Sequence, residues 1–229
     1  MKSIEPEHLY DERGDVTRSR LVFQGDVFDG IVLPGFGDEP RLVQVVAHPC
    51  SMRRGTDLCP RITVAPVESH QRITHDGWDG NVRIMPLADL IDGKHYAAKL
   101  VDVTAAPAHL LSTKARIATL SDQGIYVLQQ RLVKHYTRVE VDIPTLAEQS
   151  APVLWEMHQQ RDWIETVLYN EDAWTADTLK AEEDAFDAWL REGEPSRRDL
   201  LKDEHTHTDL RRQAHQAAVA RRDITASQA

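Results

Sequence analysis

Apolar residues in the first half of this chain come in short runs, broken every few positions by glycine, proline or acids. Leu21-Val22-Phe23 leads into Gly25-Asp26, and Val27, Phe28, Ile31, Val32 and Leu33 follow. Pro34-Gly35-Phe36-Gly37-Asp38 has the composition of a loop. "RLVQVVAH" at 41–48 and "RITVAPV" at 61–67 are β-branched runs of strand length. Residues 70–81, with Gly77 and Gly80 around Trp78, read as a loop. "NVRIMPL" at 81–87 reads as a strand ending at Pro86. "ADLIDGKHYAAKLVDVT" at 88–104 reads as one helical turn stopped at Gly93, then a strand. Residues 116–120 predict a further strand and Ser121–Gly124 a turn, while 125–136 fits a helix or a strand. Short strands at close spacing predict a small barrel rather than a parallel α/β sheet.

The second half changes period. Ser150-Ala151-Pro152 predicts a helix start, because proline in the first turn loses no hydrogen bond. Val153, Met157, Ile164 and Leu168 then recur on one helical face. A second helix is expected over 175–192, capped by Thr175 and ended by Gly193 and Pro195. A third begins at Ser196, with Asp199 three residues on as in a capping box. Its later part, 202–223, is mostly polar and carries a weak stripe of Leu210, Ala214, Ala217 and Ala218. The expected class is mainly β with a helical appendage, α+β. An N-terminal arm takes 1–20, the barrel 21–149 and an acidic helical appendage 150–229.

Composition adjusts this picture in three places. The chain has 229 residues, and 41% hydrophobic residues support a core. No run approaches a membrane span, and the polar start, MKSIEPEHLYDERGD, lacks a signal-peptide core, so a cytoplasmic protein is expected. Two cysteines, Cys50 and Cys59, make no disulfide framework. The net charge of −10 argues against non-specific nucleic-acid binding. It is uneven, however. Residues 152–194 hold 12 acids and 3 bases, whereas 41–61 holds Arg41, Arg53, Arg54 and Arg61 against Asp57.

Gly25-Asp26-Val27-Phe28, Arg41-Leu42-Val43-Gln44-Val45-Val46-Ala47 and Ile62-Thr63-Val64-Ala65-Pro66-Val67 together resemble the MazF/PemK (CcdB-like) toxins. "KARIATLSDQGIYVLQQRL" looks like that family's last core strand and following helix, so the likeness covers about residues 22–136. The resemblance implies an SH3-like small β-barrel followed here by about three C-terminal helices. It also implies a cytoplasmic, metal-independent endoribonuclease of toxin–antitoxin type that takes single-stranded RNA without a cofactor and is often dimeric. Arg41 stands at the family's arginine position. His48, Ser51 and Arg53 stand in the loop where members carry Ser or Thr. Two departures stand out: the loop reads His-Pro-Cys-Ser, and Glu68 replaces an expected hydroxyl.

Metal-free RNA cleavage uses the 2′-OH as nucleophile and needs a base, an acid and a phosphorane stabiliser. His48 titrates near neutrality. Arg53 or Arg54 can hold phosphate with a bidentate fork, Ser51 can donate to it, Arg54 and Arg61 extend the basic stretch as RNA-binding residues, and the resemblance implies that Arg41 handles phosphate as well. Four other readings compete. The stretch is a polar strand-end turn. Cys50 is a nucleophile, although Thr56 breaks the Cys-x5-Arg phosphatase spacing. His48, Cys50, Cys59 and His70 are zinc ligand types at a spacing that fits no strong zinc pattern. The barrel has kept its shape, lost catalysis, and binds a protein partner or itself through the C-terminal helices. His205 and His207 beside Glu204 are a looser cluster still. Trp155, Trp163, Trp174 and Trp189 lie in acidic sequence and read as packing residues. The acidic 152–194 segment is either a solvated face or a built-in mimic covering the basic stretch.

Overall fold

The computed structural model describes residues 5–73, 80–112, 115–170 and 174–228. Gly77 and Trp78, the centre of the expected 70–81 loop, lie outside the described residues. The chain divides into two compact units. One comprises 1–17 and 22–149, the other 18–21 and 150–229.

The first unit is a nearly closed antiparallel barrel. Its strands are β1 (Tyr10–Arg13), β2 (Val27–Ile31), β3 (Arg41–Val45), β6 (Arg61–Ser69), β7 (Ile84–Ile91), β8 (Lys94–Lys99), β9 (Thr104–Pro107) and β10 (Arg116–Leu120). Between β3 and β6 lies an excursion of β4 (Arg53–Arg54) and β5 (Asp57–Leu58). The strand order is β1-β10-β2-β3-β6-β8-β7, and β9 also pairs with β6. Residues 10–13, placed in an arm by sequence, are therefore a strand of the sheet. Arg13 on β1 donates to the backbone carbonyl of Asp89 on β7, so the two ends of the path approach each other.

Two prolines lie inside strands. Pro66 in β6 faces Val43 of β3. On the other edge of β6, β9 pairs with residues 61–64 and β8 with 67–69, so Pro66 falls in the gap where no donor is required. Pro86 does not end its strand. β7 is the last strand of the path, and it continues to Ile91 opposite β8. The helical turn expected before Gly93 is absent for the same reason. Asp92 and Gly93 both have positive φ, 49° and 70°, and Asp-Gly is the residue pair of the tight turn whose twist suits a hairpin. A 3.6-residue reading of a short apolar run missed that signal.

Residues 122–137 resolve as a helix. The helices are α1 (Pro6–Leu9), α2 (Pro49–Met52), α3 (Asp122–Thr137), α4 (Ile143–Val167), α5 (Ala176–Arg191), α6 (Arg197–Leu200) and α7 (His207–Gln228). Ser121 caps α3 by accepting from Gly124 N–H at 3.0 Å. Arg131 of α3 is fully buried and donates to the carbonyl of Ile84 at 2.7 Å. Inward residues Phe28, Ile31, Val43, Val45, Ile62 and Val64 form the barrel core, and Met52 of the excursion joins them.

The polar centre of the barrel is an ion pair. Arg116 Nη1 lies 3.0 Å from Asp26 Oδ2, and both side chains are completely buried. The same carboxylate oxygen accepts from Phe23 N–H at 3.0 Å, and Arg116 Nη2 donates to Thr17 O at 3.0 Å. Gly25, just before Asp26, has φ +94°, and a Cβ there would meet Leu120 at 2.7 Å. The Gly25-Asp26 pair is thus a structural device of β2 and β10.

The second unit has its own core. Trp155, Trp163, Phe186, Trp189, Leu190, Leu210, Ala214 and Ala218 are buried together, with Trp174 packed against them. The helix expected from Ser150 begins earlier. Asp142 Oδ1 accepts from Thr145 N–H at 2.8 Å, with Pro144 in the first turn, and α4 then runs through Pro152. The cap at 142 outcompetes the Ser-Ala-Pro signal because it meets the same need about two turns sooner. Thr175 caps α5 as expected. Ser196 caps only the four-residue α6, and α7 is a separate helix. Glu182 is buried but paired, accepting from Trp163 Nε1 at 3.2 Å and from Arg221 Nε at 2.5 Å. Among the described residues, no helix is long and apolar enough to cross a membrane.

Two substitutions test this description. Arg116→Met strands a buried carboxylate and should cost about 3–5 kcal/mol in urea unfolding. Gly124→Ala places a Cβ 2.3 Å from the Leu9 carbonyl oxygen, a backbone atom. It should destabilise by about 1–3 kcal/mol, although alanine is the better helix former.

Candidate functional site

The excursion between β3 and β6 is built by local chemistry. Val46 and Ala47 N–H both donate to Thr63 O, at 3.1 and 3.2 Å, which closes β3 against β6. His48 then caps α2, its Nδ1 accepting from Cys50 N–H at 3.3 Å. Pro49 follows in the first turn, where its fixed φ suits a helix. Pro49 and Met52, three apart, are the buried face of α2. β4 and β5 form a two-residue hairpin whose Gly55 has φ +66°. Cys59 N–H donates to Met52 O at 2.8 Å and returns the chain to β6.

Five of the six residues predicted from sequence lie at one end of the β3–β6 pair. His48 and Ser51 are exposed on α2. Ser51 Oγ donates to His48 O at 2.7 Å, so the hydroxyl is held within its own turn. Arg53 is half-buried and works as a strut: Nη1 donates to Thr56 O at 3.0 Å and Nη2 to Val22 O at 2.9 Å. Arg54 is exposed on the hairpin. Arg61 is exposed at the start of β6, outward like Thr63, between buried Ile62 and the Cys59–Pro60 return.

Arg41 does not join them. It begins β3, and His48 follows the end of that strand. Four strand steps from 41 to 45 already span about 13 Å. Arg41 instead holds the loop before it, with Nη2 donating to Phe36 O at 2.7 Å and its guanidinium 5.4 Å from the Phe36 ring centroid. At that same end Glu68 pairs with Lys99 at 3.4 Å.

The electrostatics of His48 follow from its cap. As a residue it is exposed, yet its ring lies close enough to the protein that burial lowers its pKa below 6.5. The cap adds a geometric reason in the same direction, since Nδ1 must keep its lone pair to accept from Cys50 N–H. The neutral ring then carries its proton on Nε2. His48 in this form offers a donor to a ligand, and it becomes a base only if the cap opens. Ser51 and Arg53 are likewise engaged with backbone. The arrangement supplies donors and two exposed cations, Arg54 and Arg61, more readily than a proton-transfer pair.

The zinc reading is not realised. Among the described residues, no group of three or more His, Cys, Asp or Glu side chains is placed to hold a metal ion, and His70 Nδ1 faces Gln71 O at 2.8 Å.

A second ionisable group went unnoticed in the sequence. Asp89, with φ +52°, donates its N–H to His95 Nδ1 at 3.2 Å, and its Oδ1 lies 3.3 Å from the same nitrogen. The Arg13 guanidinium sits 5.3 Å from the Tyr10 ring centroid, and burial raises the Tyr10 pKa. These residues come from β1, β7 and β8, so no linear spacing marks them.

No protein-family model and no curated protein matches this chain. Its class is therefore given by architecture, an antiparallel barrel with a helical appendage.

Two measurements check the site. His48 should titrate below 6.5 by NMR. Its folded pKa is depressed, so the unfolded chain takes up the proton first. Stability should fall as pH drops from about 6.5 toward the folded value, and this slope should vanish in His48→Ala. Arg53→Ala should lose about 1.5–3 kcal/mol with its two hydrogen bonds, whereas Arg54→Ala should stay within about 0.5 kcal/mol of the parent.

Proposed function

We propose that this chain is a MazF/PemK-like barrel protein that binds single-stranded RNA at the His48–Arg61 end of the barrel. In the arrangement described it does not cleave RNA by metal-free 2′-OH chemistry. The observation that carries this reading is the division of labour among the arginines. Arg41 and Arg53 hold backbone carbonyls, while Arg54 and Arg61 are exposed and have no partner among the described residues. Free guanidinium groups fit phosphate in bidentate fashion. His48 Nε2 adds a neutral donor beside them. Arg41, the family's phosphate arginine by resemblance, stands at the far end of β3, and His48 has its basic nitrogen in a cap. Support for RNA as ligand comes from the resemblance over residues 22–136 and from the excess of arginine over acid in 41–61.

The alternative, a toxin–antitoxin endoribonuclease, makes a different forecast for cells, and one experiment separates them. Induction of the intact protein should leave growth and total RNA intact. Growth arrest with cut RNA, abolished by His48→Ala, would establish the nuclease instead. A second reading, protein interaction through the C-terminal helices, draws on Ile224 of α7 and on Tyr169 just after α4, which are 60% and 75% exposed. Self-association in sedimentation without any RNA binding would favour it.

Binding itself is measured with a labelled single-stranded RNA over a salt series. Each neutralised phosphate on a single strand adds about 0.7 to the slope of log K against log salt. The Arg54→Ala/Arg61→Ala double variant should weaken binding and reduce that slope by about 1.4.

A further inference from the structure

The two cysteines of the chain lie in the same excursion, on either side of the β4–β5 hairpin. Both are free thiols; Cys50 is exposed and Cys59 half-buried. The hairpin folds Cys59 back onto α2. Its N–H donates to Met52 O at 2.8 Å, and its Sγ lies 3.9 Å from Ser51 O. Ser51 is the residue next to Cys50, so the second thiol reaches the chain one residue away from the first. Cys50 itself sits in α2, a single turn of four residues. That turn is held by Pro49 and Met52 below and by the 3.3 Å cap from His48 above.

We propose that Cys50 and Cys59 form an intramolecular disulfide on exposure to a disulfide oxidant such as oxidised glutathione. The exposed Cys50 meets the oxidant first. Its thiolate attacks one sulfur of oxidised glutathione, the glutathione S–S bond breaks, and one glutathione thiolate leaves. Cys59, as thiolate, then attacks Cys50 Sγ, and the second glutathione leaves. The protein loses two protons and two electrons, and one oxidised glutathione becomes two reduced ones. This exchange follows the ordinary course of attack by the accessible thiol and resolution by the sheltered one.

The bond has a structural consequence. Disulfide geometry requires Cα atoms within about 7 Å and Cβ atoms facing each other. In a helix each Cβ tilts toward the N-terminus, whereas Cys59 Sγ approaches the carbonyl end of α2. Cys50 must turn toward Cys59, so α2 unwinds and the Cys50 N–H leaves His48 Nδ1. Oxidation thereby frees the basic nitrogen of His48 and repositions Ser51, while the Arg53 strut keeps the hairpin in place. Any effect on RNA rests on the binding reading above; the disulfide does not.

Full-length protein is incubated with a series of glutathione redox buffers, quenched by alkylation, and analysed by intact mass and peptide mapping. The expected result is loss of both alkylatable thiols with no retained glutathione, and a linked peptide joining Cys50 to Cys59 that disappears on reduction. Cys59→Ser should instead trap a stable glutathione adduct on Cys50. A glutathione adduct on Cys50 in the parent protein that never resolves, or two thiols still alkylatable in the most oxidising buffer, overturns the proposal. His48 NMR shifts that change on oxidation of the parent and stay fixed in Cys50→Ser confirm the unwinding of α2. RNA binding is measured on the same oxidised and reduced samples. Its absence in both, with the linked peptide present, sinks the binding reading and leaves the disulfide standing.

Discussion

The buried pair of Asp26 and Arg116 sets the frame on which the barrel depends. A fully desolvated carboxylate and guanidinium persist only when their geometry is good and their remaining hydrogen-bonding atoms find partners. Asp26 meets that demand by accepting from Phe23 N–H as well as from Arg116, and Arg116 meets it in part, reaching Thr17 while its buried Nε makes no hydrogen bond among the described residues. Three stretches are thereby held at one point: the turn into β2, the residues that follow β1, and the strand β10 some 90 positions on. The backbone of Asp26 extends the constraint, since its carbonyl accepts from Val45 N–H at 2.9 Å at the end of β3. A pair of this kind contributes position more than net stability, because hydrophobic residues of similar volume often serve stability as well.

The excursion starts where that frame ends. Val45 is the last residue of β3, and three residues later the chain has left the sheet. Its interior is pinned by Pro49, Met52 and Arg53. Its exterior is left with His48, Cys50, Ser51 and Arg54, and Arg61 stands outward where β6 begins. Arg53 and Arg54 are neighbours of identical type with opposite fates. Adjacent residues on a strand point to opposite sides, so Arg53 turns to the carbonyls of Thr56 and Val22 while Arg54 turns to solvent. The cap on His48 has the same character. One interaction both builds α2 and decides which ring nitrogen is occupied and which is left open.

Much of this was written in the chain. β-branched runs of strand length at 41–48 and 61–67, and the short apolar stretch at 116–120, marked three core strands. The change of period after 150, Thr175 at the head of α5, and the tryptophans as packing residues were equally legible. The Asp92-Gly93 hairpin and the Asp142 cap were in the sequence too, but competing local signals, a helical turn and Ser150-Ala151-Pro152, masked them. For the candidate site, the text at 48–61 pointed to one short segment, and the fold keeps its residues at one end of the β3–β6 pair. It did not separate the exposed arginines from those that hold backbone carbonyls.

By itself, then, the sequence determined most of the core strands and long helices, the barrel-plus-helices class, and the clustering of basic residues in one short segment. These follow from local propensity and periodicity, which act over a few residues. Tertiary structure alone decided that Arg41 stands apart from His48, that Arg53 is a strut, that Asp26 finds Arg116 across 90 positions, and that Tyr10, Arg13, Asp89 and His95 meet at the barrel seam. Each of these depends on strand order and register. Pairing chooses them among many sterically allowed alternatives, and a one-residue slip would send every side chain to the other face.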